Sequence, residues 1–311
     1  MQCYFLGTGA GVPSRNRNVS SLALIMPEYN GQIWLFDCGE ATQHQIWDSP
    51  VKLSKINRIF ITHLHGDHLF GLPGVLGSRS FQGATSPLTL YGPKGIRAFV
   101  EITLKTSHTF LRYPLEIVEM EGDDCQFEAP PFSIRAKKLD HGIPSYGYRL
   151  EEPDQPGRLN AEKLQKAGIP PGPHYRLLKE GKTVTLPDGR VLKGKDYVSP
   201  PKKGRTLAIL GDTRYTPEAC FLANRCDLLI HEATYRRDQE DLARKYFHST
   251  CTQAAAVAKE AGVKHLILNH ISTRFQEEEC EALLQEARAV FPSTDLARDR
   301  WSYTLPPHGT S

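Results

Sequence analysis

The sequence predicts an α/β protein whose working loops stand at the ends of sheet strands. Three observations carry that prediction: short apolar runs that stop abruptly at Gly, Asp or His, a helical pattern between such runs, and one loop crowded with histidine at the end of such a run. The runs, in order, are CYFLGTGAG (3–11), IWLFDCGE (33–40), RIFITHLHGDH (58–68), LTLYGP (88–93), FSIRAKKLDHG (132–142), TLAILGDTR (206–214), DLLIHEAT (227–234) and HLILNH (265–270). Each joins strand-forming residues to a polar or glycine-rich break, as a central strand does. The clearest helix is TCTQAAAVAKEAG, where Thr250 and Gln253 are spaced as a capping box and Gly262 closes the pattern.

These runs fall into two stretches, roughly 1–150 and 204–311, separated by Pro153–Gly204. That separator contains IPPGPHY, LPDGR and SPPKKG and shows little apolar periodicity, so it reads as an insertion rather than core. Between 154 and 203 it carries eleven Lys and Arg against five Asp and Glu, a net charge of +6, whereas the whole chain is only +3. The remainder is therefore acidic by −3, and the positive charge is local.

With 311 residues and 40% hydrophobic content the chain can bury a full core without covalent staples. Its seven cysteines (3, 38, 125, 220, 226, 251 and 280) are odd in number and form no C-x-x-C pair, which argues against a disulfide framework and against a thiolate metal site. The opening MQCYFLGTGAG has no secretory pattern and no apolar run approaches about 18 residues, so the expectation is a cytoplasmic or organelle-stroma protein without a membrane partner. GTGAG is not a dinucleotide fingerprint, because the third glycine would fall on Val12.

The loop HLHGDH places His63, His65 and His68 with Asp67 directly after an apolar strand. Three imidazoles and a carboxylate suit Zn²⁺ better than Mg²⁺ or Ca²⁺. His63 and His65 continue a period of two and point one way, while Gly66 lets the backbone turn so that Asp67 and His68 address a second position. Four residues cannot complete two coordination spheres. His141, Asp212 and His270 each close another apolar run, and strands opening on one sheet edge would bring them together.

The order H-x-H-x-D-H, then a single His, a single Asp and a final His, resembles the metallo-β-lactamase superfamily. That resemblance implies a four-layered αββα sandwich with an inserted arm and two zinc ions per chain. His63, His65 and His141 would hold one ion, Asp67, His68 and His270 the other, with Asp212 between them. Further stretches resemble the short form of the ribonuclease Z family along the whole chain: FLGTGAGVPSRNRNVSS (5–21), LFDCGEATQHQ (35–45), GLPGVLGSRSFQG (71–83), YGPKGI (91–96), PPKKGR (200–205), HEAT (231–234), HST (248–250) and HIS followed by Arg274.

The family resemblance implies a zinc-dependent endonuclease that removes the 3′ trailer of precursor tRNA after the discriminator base, leaving a tRNA 3′-hydroxyl and a trailer 5′-phosphate. Asp67 would also accept a proton, His248 would protonate the departing oxygen, and Glu232 would orient His248. Arg15, Arg17 and Asn18 correspond to a loop that meets the tRNA 3′ end; Arg15 stands where the family has Lys. Arg274 is expected to contact phosphate. The segment 153–204 corresponds to a flexible arm, an exosite that grips the tRNA body away from the scissile bond, with Lys179, Lys182, Lys202 and Lys203 among its cations. A homodimer is also expected. Two alternatives remain at this point: a phosphodiesterase for small or cyclic nucleotides on the same fold, and a non-catalytic RNA-binding subunit, which the complete ligand set disfavours.

Overall fold

Strand periodicity sorts the apolar residues of the two large sheets into three cores. In Leu228–Glu232, Leu228 and Ile230 enter one core while Leu229 enters another; in Gln32–Phe36, Trp34 and Phe36 enter the first of these and Ile33 and Leu35 a third. The same alternation holds for Cys3 and Phe5 against Tyr4 and Leu6, and for Ile267 against Leu266 and Leu268. Both faces of these strands are buried, which is why their sequences read as continuous apolar runs.

The computed structural model of the chain describes residues 1–155 and 157–308. Two seven-stranded sheets result. The first runs, in spatial order, through strands at 302–304, 2–7, 21–26, 32–36, 56–60, 88–93 and 115–120; the second through 294–296, 266–269, 228–232, 206–209, 145–151, 132–139 and 124–129. The central core lies between them, where Phe5, Trp34, Phe36 and Phe60 meet Phe132, Tyr148, Leu207 and Ile230. Helices Thr42–Trp47, Leu72–Phe81 and Ile96–Thr106 cover the outer face of the first sheet, and Pro217–Ala223, Cys251–Ala261 and Glu277–Val290 that of the second. This is the αββα sandwich that the resemblance implies. Each fully buried large apolar side chain contributes about 1.5–3 kcal/mol.

Strand direction sets the functional edge. Strands 206–209, 228–232 and 266–269 are parallel, with Ile209 opposite Ile230, Ile230 opposite Ile267 and Glu232 opposite Asn269. Strands 32–36, 56–60 and 88–93 are also parallel, pairing Phe36 with Phe60 and Phe60 with Tyr91. Asp37, His63, Asp212, Glu232 and His270 therefore all sit at or just beyond carboxyl ends of parallel strands, where open α/β sheets bind ligands. Two glycines let the loops there touch backbone to backbone: Gly71 N donates to Cys38 O at 2.9 Å, and a Cβ on Gly71 would lie 1.9 Å from Gly39 O. A Cβ on Gly39 would lie 2.3 Å from Asp67 O, so only glycine fits either position.

The residues divide into two units, Met1–Leu150 with Thr206–Pro306, which is the sandwich, and a second containing Glu151–Arg205. The second holds more structure than its sequence pattern discloses. Helices Ala161–Lys166 and Pro173–Lys179 and a hairpin of Thr183–Thr185 with Val191–Lys193 enclose a small core of Leu164, Ile169, Leu178, Leu186 and Leu192. Asn160 caps the first helix by accepting from Lys163 N at 2.9 Å. At its base, the Arg205 Nε and Nη2 atoms donate to the Glu152 carboxylate at 2.7 Å, with both side chains only 2% exposed. Among the described residues no helix is long and apolar enough to cross a membrane.

Candidate metal centre

His63 follows strand Ile56–Phe60 and is fully buried; its Nδ1 lies 3.0 Å from Thr62 Oγ1. Thr62 Oγ1 donates in turn to Asp37 Oδ2 at 2.9 Å, so it must accept from His63, and His63 Nδ1 carries the proton. The same deduction fixes three more rings. His68 Nδ1 lies 2.7 Å from Asp37 Oδ2, and His141 Nδ1 lies 2.8 Å from the Phe247 carbonyl; both partners only accept. His270 Nδ1 lies 2.9 Å from Thr234 Oγ1, whose proton goes to Glu232 Oε2 at 2.6 Å. In all four imidazoles Nδ1 is engaged by these partners and Nε2 is turned to the pocket.

These nitrogens converge. His68 Nε2 is 3.2 Å from His270 Nε2, and His141 Nε2 is 3.2 Å from His65 Nδ1. His63 Nε2 is buried without a hydrogen-bond partner among the described residues. Asp212 Oδ2 stands among them, 3.6 Å from His63 Nε2, 3.5 Å from His68 Nε2 and 3.3 Å from His270 Nε2. Asp67 Oδ2 lies 3.3 Å from His270 Nε2 and accepts from Gly11 N at 2.8 Å. Donor atoms of His63, His65 and His141 lie within 4.8 Å of one another, as do those of Asp67, His68 and His270, of His63, His68 and Asp212, and of Asp212, His248 and His270. Facing lone pairs repel unless a cation lies between them, so the donor set fits metal ions and fits nothing apolar.

The pocket's field points the same way. Burial presses the His63 imidazole well below its usual range, and burial with the neighbouring His141 lowers His65, so both rings stay neutral and able to bind. Burial also pulls His68 down, but the Asp212 and Asp37 carboxylates outweigh it and hold His68 well above its usual range. Burial pushes Asp212 up, and the surrounding imidazoles, His270 and His68 foremost, more than reverse this. Two buried carboxylates thus favour positive charge at the centre.

His248 stands beside this centre. Its Nδ1 is 2.8 Å from Glu232 Oε1, and against the opposing effect of burial Glu232 raises His248 to about 9. Glu232 is itself fixed by Thr213 N at 2.9 Å, Thr234 N at 3.2 Å and Thr234 Oγ1 at 2.6 Å. Asp37, Thr62, Thr234 and the Phe247 carbonyl, which hold the imidazole tautomers, were not among the residues expected from sequence. Asp37 alone left a signal there, since it ends IWLFD just as Asp212 ends LAILGD.

A family model described as the anti-Pycsar protein Apyc1 matches residues 1–112, and one described as a beta-lactamase superfamily domain matches residues 197–271. Over 306 residues the chain is 56% identical to the ribonuclease Z of Geobacillus kaustophilus (strain HTA426), covering 98% of this chain and 99% of that one. The chain belongs to the ribonuclease Z family. The ribonuclease Z of Bacillus thuringiensis (strain Al Hakam) is 53% identical, with 98% and 99% covered. The solved human tRNase Z, short form, superposes with a TM-score of 0.71 at 32% identity, covering 98% of this chain and 100% of that one. The metallo-beta-lactamase fold protein YhfI of Bacillus subtilis, at 20% identity and a TM-score of 0.66 over 97% of this chain and 98% of that one, shares the fold.

In this ribonuclease Z family member the expected RNA-facing residues divide. Arg15 and Arg274 are exposed. Arg17 and Asn18 are turned inward, contrary to an RNA-facing role for their side chains: Arg17 Nη1 donates to Thr8 Oγ1 and to Ala297 O, both at 2.7 Å, and Asn18 Nδ2 donates to Glu40 O at 2.8 Å. These bonds spend their donors on shaping the 13–18 loop. In the second unit Lys179 and Lys203 are exposed, Lys182 is exposed and pairs with Glu180 at 2.8 Å, and Lys202 is half-buried with its backbone bonded to Gln155.

Proposed function

We propose that the chain is a metal-dependent endoribonuclease that cuts precursor tRNA after the discriminator base, leaving a tRNA 3′-hydroxyl and a trailer 5′-phosphate. The observation that carries the reading is the convergence of the His63, His68 and His270 Nε2 atoms on Asp212, with Asp67, His65 and His141 adjoining, beside a Glu232-held His248, in a chain of the ribonuclease Z family. Two Zn²⁺ ions suit the donor set: His63, His65 and His141 would hold one, Asp67, His68 and His270 the other, and Asp212 would serve both. When bound, such a pair renders water acidic and neutralises charge developing on the phosphate.

The chain's own residues supply the rest. Asp67, aligned by Gly11 N, is placed to receive a proton from the attacking water. His248 keeps one proton on Nδ1 for Glu232, and its Nε2 proton is available to the departing 3′ oxygen. Because Glu232 is buried and triply hydrogen-bonded, the imidazole it holds is fixed in orientation as well as charged. Arg15 and Arg274 offer cations to phosphates near the cut. The arm's exposed lysines would neutralise backbone phosphates by counterion release without reading sequence. A small-nucleotide phosphodiesterase would leave that charge without a use.

We read the chain as a homodimer of the cytoplasm. The exposed Phe81 and Phe110, linked where Ser80 Oγ donates to Phe110 O, support self-association, and sedimentation would measure it. The cleavage reading is tested by mapping product ends from a trailer-bearing precursor tRNA, with and without chelator. One chelator-sensitive cut after the discriminator base is expected; an intact precursor, from enzyme that still hydrolyses bis(p-nitrophenyl) phosphate, would contradict it.

A further inference from the structure

The metal centre opens into a cleft of about 340 Å³ whose wall, besides His65, Asp67, Asp212 and His270, includes His248, Tyr235, Val12 and Arg274. Tyr235 is unlike the chain's structural aromatics. It belongs to none of the apolar cores, it is half-buried, and its hydroxyl has no hydrogen-bond partner among the described residues. Its backbone is nonetheless fixed on both sides: Tyr235 N donates to Ser249 O at 3.3 Å and Cys251 N donates to Tyr235 O at 2.9 Å. The ring is held 6.1 Å from that of His248, tilted by 58°. Val12, on the wall of the same cleft, is 62% exposed.

A rigidly mounted aromatic face, an exposed aliphatic group and an arginine bordering one cleft match the needs of a single nucleotide: a surface for the base and a cation for phosphate. We propose that Tyr235 is the stacking platform for the discriminator base, with Val12 closing on the base and Arg274 on the adjoining phosphate. This rests on the cleavage reading above and extends it to how the cut site is measured. The side of the bond follows from His248. The group it protonates is the 3′ oxygen of the discriminator nucleotide, so the base nearest His248 belongs to that nucleotide and not to the trailer. Every base has a π face, so stacking accepts any discriminator while holding its 3′ oxygen at a fixed distance from the metals.

The test compares intact precursor tRNA with the same RNA made abasic at the discriminator position, using wild type, Tyr235→Ala and Tyr235→Phe. Wild type and Tyr235→Phe should prefer the intact RNA by roughly 5- to 100-fold in kcat/KM, the range that loss of one stacked base produces. Tyr235→Ala should bring that ratio close to one and scatter cuts to neighbouring phosphates. 2-Aminopurine at the discriminator position should be quenched on binding by wild type and Tyr235→Phe and not by Tyr235→Ala, a readout that needs no turnover. A ratio unchanged in Tyr235→Ala, or abolished equally in Tyr235→Phe, would overturn the platform while leaving the cleavage reading intact. A wild type that cuts neither RNA but still hydrolyses bis(p-nitrophenyl) phosphate would overturn the reading and the platform together.

Discussion

The metal pocket and the basic arm both handle charge, and they do so in opposite ways. In the pocket the polar groups that hold the imidazoles are buried and committed: Asp37 serves His68 and Thr62, and Glu232 serves His248, Thr213 and Thr234. In the arm almost all charges are exposed, and Lys179 and Lys203 have no ion-pair partner among the described residues. Buried, partnered groups hold position to a fraction of an ångström, which bond cleavage requires. Exposed lysines give range instead, and their attraction is screened by salt. Under the proposed function, position and reach are encoded in separate parts of the chain, and damage to one should leave a different signature from damage to the other.

The largest effect should come from the ligands. Asp212→Ala or His63→Ala should remove metal and lower turnover by roughly 10³-fold or more, the several kcal/mol that metal ions contribute to such a displacement. Elemental analysis beside kinetics checks this, and full metal content in the inactive variant would break the assignment. His248→Ala should retain metal and lose about 10²- to 10⁴-fold in kcat. Glu232→Gln sharpens the point through pH. Because Glu232 raises His248 to about 9, His248 is protonated below that value and lost as an acid above it. Removing the carboxylate should move the alkaline limb of the rate profile to lower pH; an unmoved limb would detach His248 from that limb.

A smaller loss is expected from Asp37→Asn, which keeps the shape and weakens the hold on His68 Nδ1. Metal affinity should fall about 10- to 100-fold, measured by chelator competition. The smallest effect belongs to the arm: alanine at Lys179, Lys182, Lys202 and Lys203 together should raise KM for tRNA with kcat retained. The slope of log KM against log salt should flatten by roughly 0.7 to 0.9 for each phosphate that the variant no longer neutralises. A reduced kcat with an unchanged slope would place these lysines outside RNA binding.

Much of the pocket was legible in the sequence because its donors interrupt apolar strands. HLHGDH, LAILGD and LILNH each set a polar side chain where a buried run stops, and parallel pairing gathers those stops on one edge. What fixes the tautomers was not legible. The Phe247 carbonyl is backbone, and Thr62 and Thr234 look like any loop threonine until their hydroxyls are seen donating to Asp37 and Glu232. Arg17 misled because charge suggests phosphate, whereas the residue is 9% exposed and its guanidinium is bonded to Thr8 and Ala297. The arm's helices, of six and seven residues, span two turns or fewer, too short for a 3.6-residue period to register.

The division of labour is tested most directly by replacing residues 154–203 with a short Gly/Ser linker and measuring kcat/KM for precursor tRNA and for bis(p-nitrophenyl) phosphate on the same metal-loaded preparation. The account predicts that the ratio of the two falls steeply, with cleavage of tRNA losing far more than hydrolysis of the small diester. Equal losses on both substrates, at full metal content, would contradict it and return substrate choice to the pocket.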